Sequence, residues 1–531
     1  TYLMGSNMKK NVCVIGAGPS GLVTVKELIE SGHNVTCYEQ SHKEGGVFCK
    51  TSKCSVTAYD SLMLTVSNYF MAFSGLPPSI HEGRRFWSRK EYEEYLQKYT
   101  DTFELRQHIQ FDSTVTKIEP QGDGFNVFVS CCNTESSTYY DAVAICVGIT
   151  QNPQIPVYEG QDTFTGKILH SANYTNPEEF RNKKVVCVGV GESGADIAHQ
   201  IANVANECTL SIRHYPSILD RWYNQQTNDA YTAHAFCALG PKGMNSWYNK
   251  ELIKSLNEKE GDLSEEHKLT FDWALKTGGY FNQFITKSEV FVQDIINKRL
   301  AVNVGGIKQL NGQRVIFDDG KEMEADIIMC STGFQEECKV TEPWVSITNV
   351  RNLFKHMIHP DWGSKLAYIG TARPMQGGVP ACSEMQARYF ALLLSGEKKL
   401  PKPLEMKDII ERDRQHEESA MCLTPNIKGL VDYEQYMPEM ARLIGCNVRL
   451  RHLINPFVLY KFWYGSHLPV IYRITGPGKI AKLPKKILRK LPVAYTIREQ
   501  ISLSIYFIRQ KIFLRNKEDI ENIEREVVEQ D

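Results

Sequence analysis

Three features that define other protein classes are missing from this sequence. No uninterrupted apolar run reaches about 18 residues, so no membrane-spanning helix is expected. The 61 basic and 62 acidic side chains nearly cancel, which gives no reason to expect nucleic acid as a partner. The 15 cysteines are scattered singly through apolar runs such as NVCVIG, without the regular spacing of a secreted disulfide framework. A reducing, cytoplasmic compartment is therefore expected.

The length and the N-terminal segment narrow the class further. At 531 residues the chain exceeds the roughly 250 to 300 residues at which a single core stops growing, so two or more lobes are expected. The polar segment TYLMGSNMKK leads directly to a predicted strand and has no apolar signal-peptide core. With 42% hydrophobic residues, the composition is that of an ordinary globular enzyme.

A glycine loop near the N-terminus is the strongest local signal. The segment NVCVIGAGPSGLVTVKELIESGHNVTCYEQ predicts a buried strand, a tight turn, a helix and a second strand that ends in an acid. Gly16 permits the turn, Gly18 lets the backbone approach a pyrophosphate, and Gly21 lets the helix pack on the strand. An acid at the end of the second strand is placed to bond ribose hydroxyls. The predicted dinucleotide site is formed by Gly16, Gly18, Pro19, Ser20, Gly21 and Glu39.

The segment KKVVCVGVGESGADIAHQIANVANECTLSIRH repeats this construction. Its second strand ends in Arg213 rather than in an acid. A guanidinium can bind a 2′-phosphate that an acid would repel, so this loop is predicted to take NADP rather than NAD. The alternative is that Arg213 is a solvated charge at a strand end. The predicted NADP site is formed by Gly189, Gly191, Ser193, Gly194, Arg213 and Arg221.

Two dinucleotide sites in one chain indicate electron transfer from NADPH to a flavin, with FAD at the first loop. Two Asp-led apolar strands that end in glycine, YDAVAICVG and EADIIMCSTGF, suit the passages between two such domains. Just before the second loop stands FTGKILHSANY, in which Phe164, Gly166, His170 and Tyr174 form the pattern FxGxxxHxxxY. This pattern is the identifying sequence of class B flavoprotein monooxygenases.

From about residue 11 to residue 480 the chain resembles the flavin-containing monooxygenases. The motifs that carry the resemblance are GAGPSG, EGGVF, the identifying sequence, GESG, CSTGF, MQGGVPACSEMQARYFALLLSG and YRITGPGK, in that order. The resemblance implies that NADPH reduces FAD and that the reduced flavin captures O2 as a C4a-hydroperoxide. A small molecule with a nucleophilic amine nitrogen or sulfide sulfur then takes the distal oxygen. The protein supplies orientation and a dry cavity, and no metal is expected.

The resemblance also assigns further residues. Gly45 and Gly46 would let the backbone approach the flavin ring, and Gln386 would lie near the flavin. The FxGxxxHxxxY residues would connect the two lobes and support NADP placement. His170 is as readily a hydrogen-bonded structural residue as a cofactor contact.

Two positions depart from the family pattern. Thr65 stands where the family places an asparagine that supports the oxygenated flavin or its NADP partner, so the intermediate is expected to be shorter-lived and to release peroxide. The second loop reads GESG where GNSG is usual. A carboxylate at Glu192 is unfavourable near phosphates unless it is paired, so weaker NADP binding is expected.

Three alternative functions stay open at the sequence level. Baeyer-Villiger oxygenation of a ketone is disfavoured because its fingerprint ends HxxxW, whereas this chain has Tyr174. An NADPH oxidase is allowed by Thr65. The CxxxxC spacing of Cys49 and Cys54 is that of pyridine-nucleotide disulfide reductases, but Cys49 follows the glycine pair one residue too late, and no C-terminal His-Pro-x-x-x-Glu segment is present.

The predicted fold is α/β, with two Rossmann-like dinucleotide-binding domains for FAD and NADP, a helical insertion and a C-terminal helical extension. Residues 11–152 and 336–480 are expected to form a discontinuous FAD domain. Residues 153–335 are expected to form the NADP domain, with a helical insert at about 216–299 that could shape substrate access.

Residues 481–531 form a basic amphipathic extension that ends in an acidic tail. Peripheral contact with an anionic membrane, dimerisation, and packing on the body are the three interpretations of this extension. Its isoleucines fall on one helical face: Ile497, Ile501, Ile505, Ile508 and Ile512, amid Arg498, Arg509, Lys511 and Arg515.

Overall fold

Two parallel β-sheets organise the chain. The computed structural model describes residues 9–50, 56–258, 264–277, 281, 283–335, 338–345, 347, 349–422, 424 and 426–528. The mixed α/β architecture with two Rossmann-like sheets confirms the predicted fold class.

The first sheet takes strands from both ends of the sequence. Its order is Leu366–Tyr368, Ala142–Ile145, Asn11–Ile15, Asn34–Tyr38, Ile109–Gln110, all parallel. The Asn11–Ile15 strand is apolar and buried from Val12 to Ile15, as a central parallel strand must be. Ile15 is in register with Tyr38 and Ile145, so the first glycine loop and Glu39 emerge at the same edge.

The second sheet lies entirely within the middle of the sequence. Its order is Ala301–Val304, Glu207–Ile212, Lys184–Val188, Ile327–Cys330, Lys167–His170, again all parallel. The segment that contains the FxGxxxHxxxY pattern therefore supplies an edge strand. The domain limits at residues 152 and 336 stay predictions.

Smaller sheets decorate both lobes. An antiparallel meander comprises Ser113–Gln121, Gly124–Cys131 and Thr134–Tyr140. A second one comprises Ile307–Asn311, Arg314–Phe317 and Glu322–Glu324. Two-stranded pairs are Ser217–Ile218 with Ile285–Thr286, Trp222–Tyr223 with Gln226–Thr227, Phe334–Gln335 with Asn152–Pro153, and Arg373–Pro374 with Leu430–Val431.

Helices cover the sheets. The longer ones are Pro19–Glu30, Arg89–Thr102, Glu192–Ala202, Gly240–Glu258, Glu265–Thr277, Val379–Leu394, Pro403–Ala420, Tyr433–Ile444, Pro456–Tyr464, Leu483–Lys490 and Ile497–Val528. Short helices are Asn68–Met71, His234–Cys237 and Val292–Ile296. The Pro19–Glu30 and Val379–Leu394 helices pack together beside the first sheet.

A buried arginine ties the two ends of the first lobe together. Arg473, 1% exposed, pairs with Glu27 at 2.6 Å and with Glu384 at 2.7 Å, and its Nε donates to Ser74 Oγ at 2.8 Å. Burial opposes ionisation of Glu27, but the positive charges of Arg473 and Lys26 outweigh it and lower the pKa of Glu27 to about 2. The network holds the helix of the first glycine loop to the Val379–Leu394 helix.

The insert is less purely helical than the sequence predicts. The Gly240–Glu258 and Glu265–Thr277 helices lie within the predicted helical insert at about 216–299. The insert also contains a tight hairpin at Trp222–Thr227, whose turn residues Asn224 and Gln225 both have positive φ. No Asn-Gly or Asp-Gly pair announces this turn in the sequence.

The C-terminal helix packs on the body with the face opposite to its isoleucines. Leu503 is fully buried, Ser502 Oγ donates to Glu251 at 2.6 Å, and Gln510 Nε2 donates to the Leu239 carbonyl at 3.0 Å. The five isoleucines of the predicted face are between 46% and 74% exposed. Of the three interpretations of this extension, packing on the body is therefore confirmed for the helix, and its isoleucine row stays exposed. Within the described part of the chain, no helix is both long and apolar enough to cross a membrane.

Candidate active site

The first glycine loop has the geometry that its spacing predicts. Gly16 has φ +93°, and a Cβ on Gly21 would lie 1.8 Å from the Gly16 carbonyl oxygen, so neither position tolerates a side chain. The helix begins directly afterwards with Pro19 at its first turn and points its unpaired N–H groups at the loop. Ser20 Oγ lies 3.0 Å from Ser383 Oγ.

Glu39 and a second glycine turn close this loop. The Glu39 carboxylate, 5% exposed, accepts hydrogen bonds from the Ala17 and Ser41 backbone N–H groups at 2.7 and 2.9 Å. Gly45 donates its N–H to the Ala17 carbonyl at 3.0 Å. A Cβ on Gly46 would lie only 3.1 Å from Gly18 Cα, so the two glycine turns meet with no side chain between them. This bare backbone beside a helix N-terminus fits the pyrophosphate of FAD.

Gln386 lies behind the first loop rather than beside open space. It is fully buried, its Oε1 accepts from the Gly370 N–H at 2.9 Å, and its Nε2 donates to Tyr436 Oη at 3.0 Å. Its amide therefore fixes the turn at Gly370, where a Cβ would lie 2.2 Å from Ser20 Oγ. Its part in FAD binding stays a prediction, and on this geometry it would be a positioning residue.

The second glycine loop repeats the first. Gly189 has φ +90°, and a Cβ on Gly194 would lie 2.4 Å from the Gly189 carbonyl oxygen. A Cβ on Gly191 would meet nothing within 4 Å, so its backbone borders open space, and Ser193 is exposed on the first turn of the helix. This open loop at a helix N-terminus fits the pyrophosphate of NADP.

The two arginines assigned to NADP differ in their surroundings. Arg213 is exposed at the carboxyl end of its strand, where a 2′-phosphate could reach it. Arg221 is 8% exposed, and its guanidinium donates to both oxygens of Asp196 at 3.1 and 2.8 Å. Arg221 thus neutralises a buried carboxylate that also accepts from Tyr59 and Ser288. A contact from Arg221 to NADP stays a prediction.

The FxGxxxHxxxY residues connect the edge strand of the second sheet to its neighbours and to the first lobe. His170 is 2% exposed and uses both ring nitrogens: Nε2 bonds the Gly333 carbonyl at 3.0 Å, and Nδ1 accepts from the Ala172 N–H at 3.1 Å. Burial lowers the pKa of this imidazole, which suits a neutral structural residue. A Cβ on Gly166 would lie 2.6 Å from the Phe164 ring. The ring of Tyr174 packs edge-on to Tyr59 with centroids 5.9 Å apart.

One face of the Glu192–Ala202 helix forms the seam between the lobes. Its positions 192, 196 and 200 are four residues apart and therefore lie on one side of the helix. Each is bonded to the 59–65 segment. The three hydrogen bonds are Thr65 Oγ1 to Glu192 Oε1 at 2.8 Å, Tyr59 Oη to Asp196 Oδ2 at 2.8 Å, and Ser61 Oγ to Gln200 Oε1 at 3.0 Å.

The two residues predicted to depart from the family pattern, Thr65 and Glu192, thus contact each other, and the Glu192 carboxylate is also paired with a cation. Lys287, 8% exposed, places its Nζ 3.4 Å from Glu192 Oε1. Burial disfavours the charged carboxylate, but the positive charges of Lys287 and Arg373 and the Thr65 hydrogen bond outweigh it and lower the pKa of Glu192. The site contains an ionised carboxylate and two cations where the lobes meet.

Lys287 and Arg373 are functional candidates that the sequence analysis missed. Lys287 stands in FITKSE, outside every motif, and Arg373 stands two residues before the MQGGVP motif, which does not include it. The disulfide-reductase alternative depends on Cys49 and Cys54. Cys49 is buried, and Cys54 lies outside the described residues.

Comparisons with known proteins identify the family of this chain. The family model described as flavin-binding monooxygenase-like matches residues 9–497. The 4-hydroxybenzoate brominase (decarboxylating) of Pseudoalteromonas luteoviolacea (strain 2ta16) is 35% identical over 517 residues, which cover 96% of this chain and 99% of the brominase. Flavin-containing monooxygenase 5 of Mus musculus is 28% identical over 505 residues, covering 90% of this chain and 91% of that protein.

Solved structures give the same fold. The S-allyl-L-cysteine S-oxygenase from Allium sativum superposes with a TM-score of 0.60 at 22% identity, over 86% of this chain and 93% of that one. The chain belongs to the flavin-binding monooxygenase-like family. It is therefore a flavin monooxygenase, an oxidoreductase of a class that works with FAD and NADPH, and the resemblance stated from its motifs is confirmed.

Proposed function

We propose that this enzyme uses NADPH and O2 to oxygenate a soft nucleophile at the seam between its two glycine loops. The observation that carries the proposal is the hydrogen bond from Thr65 to Glu192, which brings the first lobe to the helix of the second loop. Bound FAD, once reduced by NADPH, supplies the activated oxygen. The first loop would hold FAD and the second NADPH, with Arg213 on the 2′-phosphate.

The chain's own residues bind, orient and exclude water. Asp196 and Tyr59, both buried, close the seam beside Thr65 and keep bulk water away from it. Glu192 is ionised and fixed by Thr65 and Lys287. With Arg373 near it, the group has two positive charges against one negative charge, so the site favours an anionic reactant over a protonated amine.

Bromide is the first candidate nucleophile. The supporting relative is the 35%-identical brominase, which aligns over nearly its whole length. The net reaction would be NADPH + O2 + Br⁻ + 2 H⁺ giving NADP⁺, HOBr and H2O, followed by electrophilic bromination of an electron-rich phenol. The excess positive charge of Lys287 and Arg373 is the observation on this chain that favours anionic reactants in general, a halide among them.

An amine nitrogen or a sulfide sulfur is the second candidate. It is supported by the 28% identity to flavin-containing monooxygenase 5. A neutral sulfide would meet no charge repulsion in the site, whereas a protonated amine would.

The test measures NADPH consumption, O2 uptake, peroxide and organic product together. The FAD-loaded enzyme is supplied with bromide plus 4-hydroxybenzoate, with a thioether, or with a tertiary amine. Brominated phenol formed in proportion to NADPH supports the first candidate, and sulfoxide or N-oxide supports the second. Quantitative conversion of NADPH to peroxide under every condition would refute both and leave an NADPH oxidase.

We further propose that the isoleucine row of the C-terminal helix contacts an anionic membrane surface. The exposed isoleucines are flanked by exposed Arg498, Arg509 and Lys511. The neighbouring Leu483–Lys490 helix adds exposed Lys486, Arg489 and Lys490. An apolar row bordered by positive charges complements a lipid surface with negative headgroups better than it complements a second copy of the same basic face.

A further inference from the structure

A phenylalanine ring at the seam has two cations close to it. The Arg373 guanidinium is 4.2 Å from the centroid of Phe284, and Lys287 Nζ is 5.6 Å from the same centroid. Lys287 follows the Ile285–Thr286 strand of the insert, whereas Arg373 precedes the Val379–Leu394 helix of the first lobe. We call Lys287, Phe284 and Arg373 the cationic platform. It is assembled from both lobes, next to Thr65 and Glu192.

The positive charge of the platform is not fully neutralised. Lys287 has one ion pair, to Glu192 at 3.4 Å, which is long for a charge-assisted bond. Arg373 makes no side-chain hydrogen bond or ion pair with any other residue that the structure describes, although it is half-buried. A guanidinium held over a ring uses its face and keeps its edge N–H groups for a planar acceptor. Lys287 is buried with only a long ion pair, and Arg373 has N–H groups without a side-chain partner among the described residues. Together these two positive side chains form a site for an anion.

We propose that the cationic platform binds the carboxylate of an aromatic acid substrate. The proposal rests on the proposed function, since it names the organic substrate of the same site. A carboxylate matches the in-line N–H donors of Arg373 in the bidentate mode, and Lys287 adds a point charge. The Phe284 ring supplies an apolar surface for the aromatic body of the acid.

The same cations could in principle hold a phosphate of NADP, and the position of Glu192 decides against it. The pyrophosphate and the 2′-phosphate of NADP each have more total negative charge than one carboxylate, and either would lie against the ionised Glu192. The helix start at Gly191–Gly194 and the exposed Arg213 already provide for the pyrophosphate and the 2′-phosphate.

Equilibrium binding to the oxidised FAD enzyme tests the proposal without turnover. The probes are 4-hydroxybenzoate, the neutral isostere 4-hydroxybenzamide, and NADP⁺, measured by calorimetry on wild type, Arg373→Gln, Arg373→Lys and Arg213→Gln. We expect wild type to bind the carboxylate about 10- to 100-fold more tightly than the amide, as a charge-assisted pair requires. Arg373→Gln should abolish this preference, Arg373→Lys should retain part of it, and neither should change NADP⁺ affinity. Arg213→Gln should weaken NADP⁺ binding and leave the preference for the carboxylate unchanged.

The opposite pattern would overturn the inference. If Arg373→Gln weakens the binding of NADP⁺ and leaves the preference for the carboxylate unchanged, the cationic platform is a phosphate site. Equal binding of acid and amide by wild type, or binding of neither, refutes a carboxylate site. Flavin content and melting temperature show whether each variant is folded, and Arg373→Lys provides the test if Arg373→Gln does not fold. A carboxylate preference without any brominated product would refute bromination and leave this inference standing.

Discussion

Thr65 Oγ1 donates a 2.8 Å hydrogen bond to Glu192 Oε1, and so two positions at which the motifs predict a departure from the family pattern lie in direct contact. Each departure alone looks unfavourable: a hydroxyl replaces an amide, and a carboxylate enters a phosphate loop. Together they form one polar joint between the lobes, to which Lys287 adds the opposite charge.

Breaking this joint should uncouple the enzyme. Thr65→Val keeps the shape but removes the hydrogen bond to a charged group, which contributes about 1.5–3 kcal/mol. The closed seam should lose about tenfold or more in population, and a larger share of NADPH should end as peroxide. The measurement is peroxide per NADPH. Ser61→Ala is the control, since it removes a hydrogen bond two helical turns along the same seam. An equal effect from both would assign the coupling to the seam as a whole.

Substitutions in the two glycine loops should impair the binding of different cofactors. Gly21→Ala places a Cβ 1.8 Å from the Gly16 carbonyl oxygen and should yield protein without flavin absorbance. Gly194→Ala places a Cβ 2.4 Å from the Gly189 carbonyl oxygen and should leave FAD bound while raising the KM for NADPH. Gly32→Ala, where a Cβ meets nothing within 4 Å but φ is +86°, is the control for backbone strain alone. Loss of FAD from Gly194→Ala with retention by Gly21→Ala would reverse the assignment of the loops.

Arg213 and Arg221 should give different phenotypes. Arg213→Gln should raise the KM for NADPH about tenfold or more and reduce the preference over NADH, with an unchanged melting temperature. Arg221→Gln leaves the buried Asp196 without its cation and should lower stability by about 3 kcal/mol. Steady-state kinetics with both nucleotides and urea unfolding separate the two roles. A selective loss of NADPH affinity in a stable Arg221→Gln protein would restore Arg221 to the NADP site.

The exposed isoleucines should set membrane affinity. Ile505→Asp with Ile508→Asp should abolish sedimentation with vesicles that contain anionic phosphatidylserine, while leaving activity unchanged. Leu275→Asp, at another exposed apolar residue, is the control. A different result would assign the isoleucine row to self-association. In that case the wild-type protein would not bind these vesicles but would sediment as a dimer, and the double variant would sediment as a monomer.

A buried histidine pair should make the fold sensitive to acid. His234 and His467 both bond the Glu434 carboxylate, and His467 Nε2 also lies 2.6 Å from Tyr472 Oη. Burial lowers the pKa of His467 to about 4, against the attraction of Glu434. The unfolded chain therefore binds a proton between pH 6.5 and about 4 that the folded chain does not. Stability should fall as the pH drops through this window, by on the order of 2–3 kcal/mol. His467→Gln should be less stable at pH 7 but should show a shallower pH dependence of the melting temperature. An unchanged slope would show that His467 is protonated in the folded state.

The fold was largely predictable because its signals are local. Gly16, Gly18 and Gly21 encode a strand, a turn and a helix within a few residues, and the same holds for Gly189, Gly191 and Gly194. The hairpin at Trp222–Thr227 was missed because an Asn-Gln turn has no glycine to announce it. The exposed side of the C-terminal helix could not be assigned, because periodicity groups residues on a face but does not say which face finds a partner.

The centre of the site was less predictable because its residues are distant in sequence. Thr65, Glu192, Lys287 and Arg373 come from four separate segments, and no spacing rule links them. The paired state of Glu192 depends on Lys287, 95 residues further along the chain. Likewise, the buried Asp196 that binds Arg221 gives no sign in the sequence that it needs a cation.

The ion pairs of Arg473 can form only late in synthesis, after the second sheet has been translated. Glu27 is translated early, but its charge is neutralised within the core by an arginine that follows it by 446 residues. All strands of the second sheet fall between Lys167 and Cys330, so they can assemble while the ribosome is still translating the rest. Until then the Asn11–Ile15 strand and its helix lack both the Arg473 partner of Glu27 and the Leu366–Tyr368 strand of their sheet. Of the two lobes, the one whose first strand is translated first is therefore completed last, since it needs Arg473.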